Sequence, residues 1–326
     1  MNIKSKKYIK LFIAIIILFN SINTSILNAQ GFKGYYQYPD IHDNTIVFTS
    51  EGDIWKVSVN GGLAQRLTTH PEEERYANIS PDGKTLAYSA SYEGPTEIYT
   101  MPINGGITTR WTYESETSSV TNWSSDNKII YQTQAYNKLP DEQLVTIDLK
   151  TKIKSVVPLY QASEGTQNEK GDWIFIRPAD HGDAAKRYVG GTARQIWKFD
   201  GKNEAVKLTN DYDGESHKPM WYDGRVFFIS DRDGIMNIWS MDSDGNNLEQ
   251  HTKHKEYDVR YANIHDGKIV YQHAADIWLL DVSTGSYNKI NISLASDLDQ
   301  LREKWDENPS RYITSVSSDP NGENIV

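Results

Sequence analysis

Beyond about residue 30, short apolar stretches alternate with breaks rich in Gly, Asp, Asn and Pro, and no segment of ten or more residues carries a 3.6-residue apolar period. The pattern predicts strands rather than helices. An aliphatic residue followed by an aromatic one marks a repeat: Ile54-Trp55, Ile98-Tyr99, Ile196-Trp197, Ile238-Trp239 and Ile277-Trp278, with Leu144-Val145 in the third place. The steps between them are 44, 46, 52, 42 and 39 residues. A period of about 40–50 residues with four short strands per unit is that of a propeller blade. The chain is therefore expected to be all-β, a six-bladed β-propeller with four-stranded antiparallel blades.

The second unit shows the pattern most clearly. Strands are expected at 76–79, 85–89, 97–101 and 108–111, separated by Ser80-Pro81-Asp82-Gly83 and Asn104-Gly105-Gly106. Pro presets one turn dihedral and Asp or Gly tolerates the next, so each break has a physical cause. Taking units to begin at Pro39, Arg75, Ser119, Gln161, Ser216 and Val259, each supplies four strands from its own stretch. Residues 30–35 are then not needed to complete the last blade, and the ring is expected to close by side-chain packing alone. The propeller is assigned to 34–297. In 298–326 a charged connector leads to Tyr312 and a new strand at 312–316, with Ser318-Asp319-Pro320-Asn321-Gly322 as its turn. That segment reads as the start of a second, truncated propeller, because one strand cannot bury its face alone.

The first 29 residues differ in kind. Lys4, Lys6, Lys7 and Lys10 precede an apolar run at 11–19, and small or polar residues lead to Ala29. Nine apolar residues fall well short of the roughly 18 a spanning helix needs, which favours a cleaved signal peptide over a retained anchor. The chain is expected to be exported, with no membrane attachment after cleavage. It has no Cys, so neither disulfides nor thiol chemistry is available. Loss of the four leader lysines takes the net charge from −10 to −14, a balance that disfavours nucleic acid and anionic membrane.

Candidate chemistry is sparse. Asp211-Tyr212-Asp213-Gly214, Asp231-Arg232-Asp233-Gly234 and Asp242-Ser243-Asp244-Gly245 lack the ligand spacing of a calcium loop and read as turns. Only His251 and His254 lie at a spacing that invites a metal, and their basic neighbours argue against one; no metal or cofactor is expected. There is no His-Glu-x-x-His and no Gly-x-Ser-x-Gly, so no catalytic residue is assigned. Nine Trp and 20 Tyr suggest carbohydrate stacking, but Trp55, Trp197, Trp239 and Trp278 share one place in the repeat, as packing between sheets requires. The informative irregularity is the 52-residue step. Its excess lies between a second and a third strand, at 178–193, on the face that borders one mouth of the central channel. Lys186, Arg187, Tyr188, Gly190, Gly191, Thr192 and Arg194 form the candidate binding site there, suited to a carboxylate such as a peptide terminus or an acidic neighbouring domain. A long solvated hairpin loop is the alternative.

Ser80-Pro81-Asp82-Gly83 with Glu97-Ile98-Tyr99 resembles the repeat of the Tol-associated periplasmic propeller, the prolyl oligopeptidase relatives and the tricorn proteases. Three stretches more narrowly resemble the first propeller of tricorn-type proteases. They are Tyr38-Pro39-Asp40-Ile41-His42, the run Lys186-Arg187-Tyr188-Val189-Gly190-Gly191-Thr192 leading into Gln195-Ile196-Trp197, and Phe228-Ile229-Ser230-Asp231-Arg232-Asp233-Gly234. Asn308-Pro309-Ser310-Arg311-Tyr312 matches the place where that family enters a second, seven-bladed propeller. The resemblance implies a serine peptidase, a hydrolase whose propellers gate or channel oligopeptide substrates to a catalytic core absent from this chain; export is the leader's contribution. Its implied partners are a downstream propeller, a PDZ module and the catalytic domains of the same protein, with a homo-oligomer as a further possibility. The leader points to the periplasm, whereas the first-described tricorn proteases are cytoplasmic. The rival reading is a non-enzymatic periplasmic propeller that binds protein partners.

Overall fold

Each of the six repeats folds as a sheet of four antiparallel strands in the computed structural model, which describes residues 31–178, 186–298, 303, 305 and 308–325. The leader expected at 1–29 lies outside the described residues. In the second blade the strands are Glu74–Ile79, Thr85–Ala90, Glu97–Pro102 and Thr109–Arg110, within two residues of expectation. Its first turn closes as the residues dictate: the Gly83 N–H donates to the Ser80 carbonyl at 2.8 Å, and the Ser80 hydroxyl to Asp82 at 2.6 Å. The other blades span 37–66, 118–156, 163–207, 216–250 and 259–289. Their first strands, Gln37–His42, Glu74–Ile79, Ser118–Trp123, Ser163–Gln167, Ser216–Tyr222 and Val259–His265, touch one another in sequence around a closed circle and are therefore the innermost.

The aliphatic–aromatic pair explains how neighbouring sheets adhere. Adjacent residues of a strand point to opposite faces, so the two members of each pair face different blades. Ile54 packs on Tyr88 of the second blade, Ile98 on Tyr131 of the third, Leu144 on Phe175 of the fourth, Ile196 on Phe228 of the fifth and Ile238 on Tyr271 of the sixth. Ile277 returns to Phe48 and Trp55 of the first. All six aliphatic side chains are completely buried, each contributing on the order of 1.5–3 kcal/mol. The aromatic member turns back to the preceding blade and pairs across its own sheet, as in Phe48 with Trp55, Tyr88 with Tyr99 and Phe228 with Trp239. A threonine locks four of the pairs from outside, its hydroxyl oxygen accepting from an isoleucine N–H: Thr68 from Ile54, Thr112 from Ile98, Thr209 from Ile196 and Thr252 from Ile238, at 2.8–3.2 Å.

Ring closure differs from expectation. Each blade does supply its own four strands, but the ring does not close by side-chain packing alone. The strand Ile292–Leu294 crosses to the first blade and runs parallel to Gly62–Ala64 as a fifth strand. Phe32 exchanges both backbone hydrogen bonds with Leu294, so the N-terminal segment takes part as well. The reason is an otherwise open edge: Gly62–Arg66 would leave a row of backbone donors and acceptors unpaired. Gly61 permits the approach. Its φ is +77°, and a Cβ would stand 2.4 Å from the Asn291 carbonyl oxygen that receives the Gly62 N–H.

A second compact unit begins at Ser296. The strand expected at 312–316 is not formed. Pro309–Tyr312 is a 3-10 turn and the residues after it find no ladder, the state of a strand without a partner. The following turn does form, with Gly322 N–H donating to the Asp319 carbonyl at 3.1 Å and Ser318 bridging Ile325.

Leu294 is fully buried among Tyr36, Phe48 and Ile292. Leu294→Ala is expected to lower the unfolding free energy by roughly 2–5 kcal/mol, read from the denaturant midpoint. A loss well below 1 kcal/mol would mean that the crossing strand does not hold the ring.

Candidate functional site

Five of the six inner strands around the propeller's axis share a device. The inner strands slip register against their neighbours between Gln37 and Asp40, Arg75 and Asn78, Ser163 and Thr166, His217 and Met220, and Arg260 and Asn263. At each bulge one non-glycine residue has positive φ: Tyr38 at 51°, Tyr76 at 54°, Glu164 at 49°, Lys218 at 52° and Tyr261 at 45°. Bulky residues avoid this region, and bulges re-aim side chains. In the third blade the extra residue is Thr121, whose φ is not positive.

These re-aimed side chains meet. The ring of Tyr38 lies 4.5 Å from those of both Tyr76 and Tyr261, edge-on or tilted. Burial raises the pKa of Tyr38 and Tyr76, so both hydroxyls stay neutral. Opposite them, Glu164 accepts the Lys218 backbone N–H at 2.5 Å and stands 3.5 Å from His217. Burial alone would push the Glu164 carboxyl up, but His217, Arg194 and Lys218 together bring it down to about 2. Burial pulls the Lys218 ammonium down against the opposing pull of Glu164 and Asp40. Asp40 is itself pushed up to about 7, by burial, although it accepts the Ile79 N–H at 2.6 Å and so links the first two inner strands.

Tyr76, Glu164, His217, Lys218 and Tyr261 open into a cavity of about 260 Å³, and the long loop of the fourth blade forms its other wall. That loop joins Trp173–Arg177 to Gln195–Phe199, as expected from the 52-residue step. Lys186, Arg187, Tyr188, Thr192 and Arg194 line this cavity; Gly190, Gly191 and Thr192 line an adjoining groove with Arg177 and Trp197. Gly190 donates its N–H to the Asp213 carbonyl at 3.1 Å, and its φ of +156° is one that residues with a Cβ rarely adopt, so the turn favours glycine. The cations are matched by acids. Lys186 and Arg187 both approach Asp258 at 3.2 Å, Arg187 also donates to the Gly234 carbonyl, and buried Arg194 donates to Glu215 at 2.7 Å. A carboxylate ligand would have to displace these internal partners. The wall is therefore amphoteric, with neutral phenol faces and paired ions.

Local sequence did not single out the five bulge residues. A shared signal exists nonetheless, because each precedes a small residue or proline: Tyr38-Pro39, Tyr76-Ala77, Glu164-Gly165, Lys218-Pro219 and Tyr261-Ala262. His251 and His254 are not brought together on a metal: His251 meets the Ser240 hydroxyl at 2.8 Å, while His254 stacks on His273 at 3.8 Å. The Asp231 and Asp242 turns close on Gly234 and Gly245 as expected.

The profile of the tricorn protease N-terminal β-propeller domain matches residues 33–286. The chain belongs to that family. It is 30% identical over 295 residues to a tricorn protease homolog of Saccharolobus solfataricus, covering 84% of this chain and 26% of the relative. It is 28% identical over 292 residues to tricorn protease homolog 1 of Streptomyces coelicolor, covering 87% and 27% respectively. The crystal structure of the tricorn protease superposes with a TM-score of 0.73 at 23% identity, over 80% of this chain and 26% of that one. This tricorn-type propeller thus spans about a quarter of the length of those relatives.

The lowered Glu164 pKa fixes a pH dependence. A carboxyl whose folded pKa lies below its unfolded value stabilises above the unfolded value, and the gain is lost as pH falls through the folded one. The stability advantage of the wild type over Glu164→Gln is expected to shrink as pH falls from about 4.5 toward about 2. Urea midpoints across that range read it; an advantage that does not change with pH would contradict the placement of Glu164 beside His217 and Lys218.

Proposed function

We propose that this chain is the N-terminal propeller portion of an exported tricorn-like serine peptidase, and that its axial cavity gates oligopeptides passing to or from a catalytic core elsewhere in the protein. Family membership supports the peptidase context. The gating reading is carried by one observation: the strained inner-strand residues converge, Tyr76, Tyr261, Glu164 and Lys218 lining one cavity while Tyr38 packs against both tyrosine rings. Strain at a packed ring of this kind is retained where it positions side chains for use. Phenol rings and paired ions suit an extended backbone of varied sequence, because they offer apolar faces and hydrogen bonds without a net charge to trap one terminus. A folded domain cannot enter a space of about 260 Å³. Export rests on the Lys-rich, apolar leader. Lys186, Arg187, Tyr188, Gly190, Gly191, Thr192 and Arg194 then form the mouth, with Arg187 and Arg194 holding its shape through Asp258 and Glu215.

The test uses the full-length protein with its catalytic part. Tyr76→Ala combined with Tyr261→Ala is expected to raise turnover of long oligopeptides several-fold and leave turnover of a small peptide ester unchanged. Equal rates for wild type and variant on long peptides, with the variant folded, would remove the gating role. The isolated chain is expected to hydrolyse neither substrate, and measurable turnover by it would overturn the division of labour.

A further inference from the structure

The ring seam brings together two copies of one short motif. Ile41-His42-Asp43-Asn44 forms the first hairpin of blade one and Ile264-His265-Asp266-Gly267 the first hairpin of blade six. Both histidines end their inner strands, and Asp43 and Asp266 both turn the chain with positive φ, 49° and 46°. The corresponding turns of blades two and five, Ser80-Pro81-Asp82-Gly83 and Trp221-Tyr222-Asp223-Gly224, contain no histidine. Because the first and last blades are neighbours in the closed ring, the His42 and His265 ring centroids lie 4.1 Å apart, although His265 and Asp43 are 222 positions apart in the chain.

We propose that His42, Asp43 and His265 form a binding site for a divalent cation of the zinc class that clasps the first blade to the last. One nitrogen of each histidine and one Asp43 oxygen all lie within 4.8 Å of one another. His42 Nδ1 is 3.5 Å from Asp43 Oδ2, and His265 Nε2 is 3.3 Å from Asp43 Oδ1. Tetrahedral ligands about 2.1 Å from one ion stand about 3.4 Å apart, and each histidine nitrogen stands near that distance from an Asp43 oxygen, a different oxygen in each case. The Asp43 side chain is 78% exposed and free to swing the remaining distance. The tautomer also suits. His42 Nε2 is 3.0 Å from the Pro81 carbonyl oxygen, which can only accept, so the tautomer with its proton on Nε2 keeps that bond and leaves Nδ1 available to an ion. A ligating histidine that donates its other N–H to a backbone carbonyl is the usual arrangement around zinc, because that bond fixes ring orientation. Two imidazoles and one carboxylate favour zinc, nickel, cobalt or copper over calcium or magnesium, which take oxygen ligands. The remaining positions are open to water, and the cation would join blade one to blade six on their exposed side.

Titration of the tag-free, chelator-stripped chain with Zn2+ tests this by calorimetry and thermal unfolding. Saturable 1:1 binding to the site is expected, together with a Tm rise of about 5 °C at a Zn2+ concentration a hundredfold above Kd. Mg2+ at the same concentration should not reproduce it. Asp43→Asn keeps the turn, since Asn tolerates positive φ, and is expected to weaken Zn2+ binding by at least about tenfold, because loss of even an outer partner commonly costs that much. His265→Ala should abolish the Tm rise. Absence of saturable binding, or unchanged affinity in Asp43→Asn, would overturn the site; the Asn variant decides the matter even if His265→Ala fails to fold.

Discussion

Closure of the ring is the constraint on which this fold depends. Each blade is apolar on both faces, and a face stays buried only if another blade covers it; the first and last blades, separated by the whole chain, must therefore meet. Ile277 reaches forward to Phe48 and Trp55 as its five counterparts do, so the seam repeats the packing found everywhere else. Single backbone hydrogen bonds link the other junctions, such as Glu74 N–H to the Gly52 carbonyl, but among the described residues the seam alone adds a strand pairing. Residues Ile292–Leu294 pair with Gly62–Ala64, and the Tyr36 hydroxyl donates to the Ile292 carbonyl at 2.9 Å. Covering that edge both satisfies polar groups and anchors Leu294 in the core shared by blades one and six.

The same closure dictates what happens at the axis. Six inner strands crowd a narrow circle, and an inner strand running straight would keep to its own sheet. The bulges relieve this by adding a residue and turning one side chain inward, at the cost of positive φ. Three of those side chains are tyrosines that pack together, and two are Glu164 and Lys218, whose charges compensate each other. The axis is thus neither an empty pore nor an ordinary core. It is a wall of neutral rings and matched ions backed by a loop from the fourth blade.

Much of this was legible in the sequence, and the boundary of legibility has a physical basis. Blade number, strand order and turn positions follow from local chemistry: Ile54-Trp55 and its kin must face two sheets, and Ser80-Pro81-Asp82-Gly83 must turn. The placement of the long loop beside the channel mouth follows from strand alternation. Contacts across the seam do not, since nothing local tells Leu294 to pair with Phe32 and Ala64, or His42 to meet His265. The bulges lay between these extremes. Tyr76-Ala77 and Lys218-Pro219 look like ordinary strand residues until their register is known. The cations at 186–194 showed the opposite weakness: their charge was visible locally, but Asp258 and Glu215, which neutralise them, come from other blades' entry segments.

That neutralisation changes the kind of selectivity the cavity can exert. A cluster of free cations would favour acidic ligands by a long-range field and weaken with salt. Paired ions have little field beyond a few ångströms, so discrimination falls to shape and to hydrogen bonds made at contact. Asp258 illustrates the point: Lys186, Arg187 and the Met236 N–H converge on one carboxylate, and their combined effect, against its burial, is to hold its pKa below the ordinary value. Such a group stays ionised and keeps its partners, which makes it a hinge post for the loop rather than a reagent. The loop is then a shaped wall of the cavity, whose contour is set by its two glycines, its tyrosine and its internally paired basic residues.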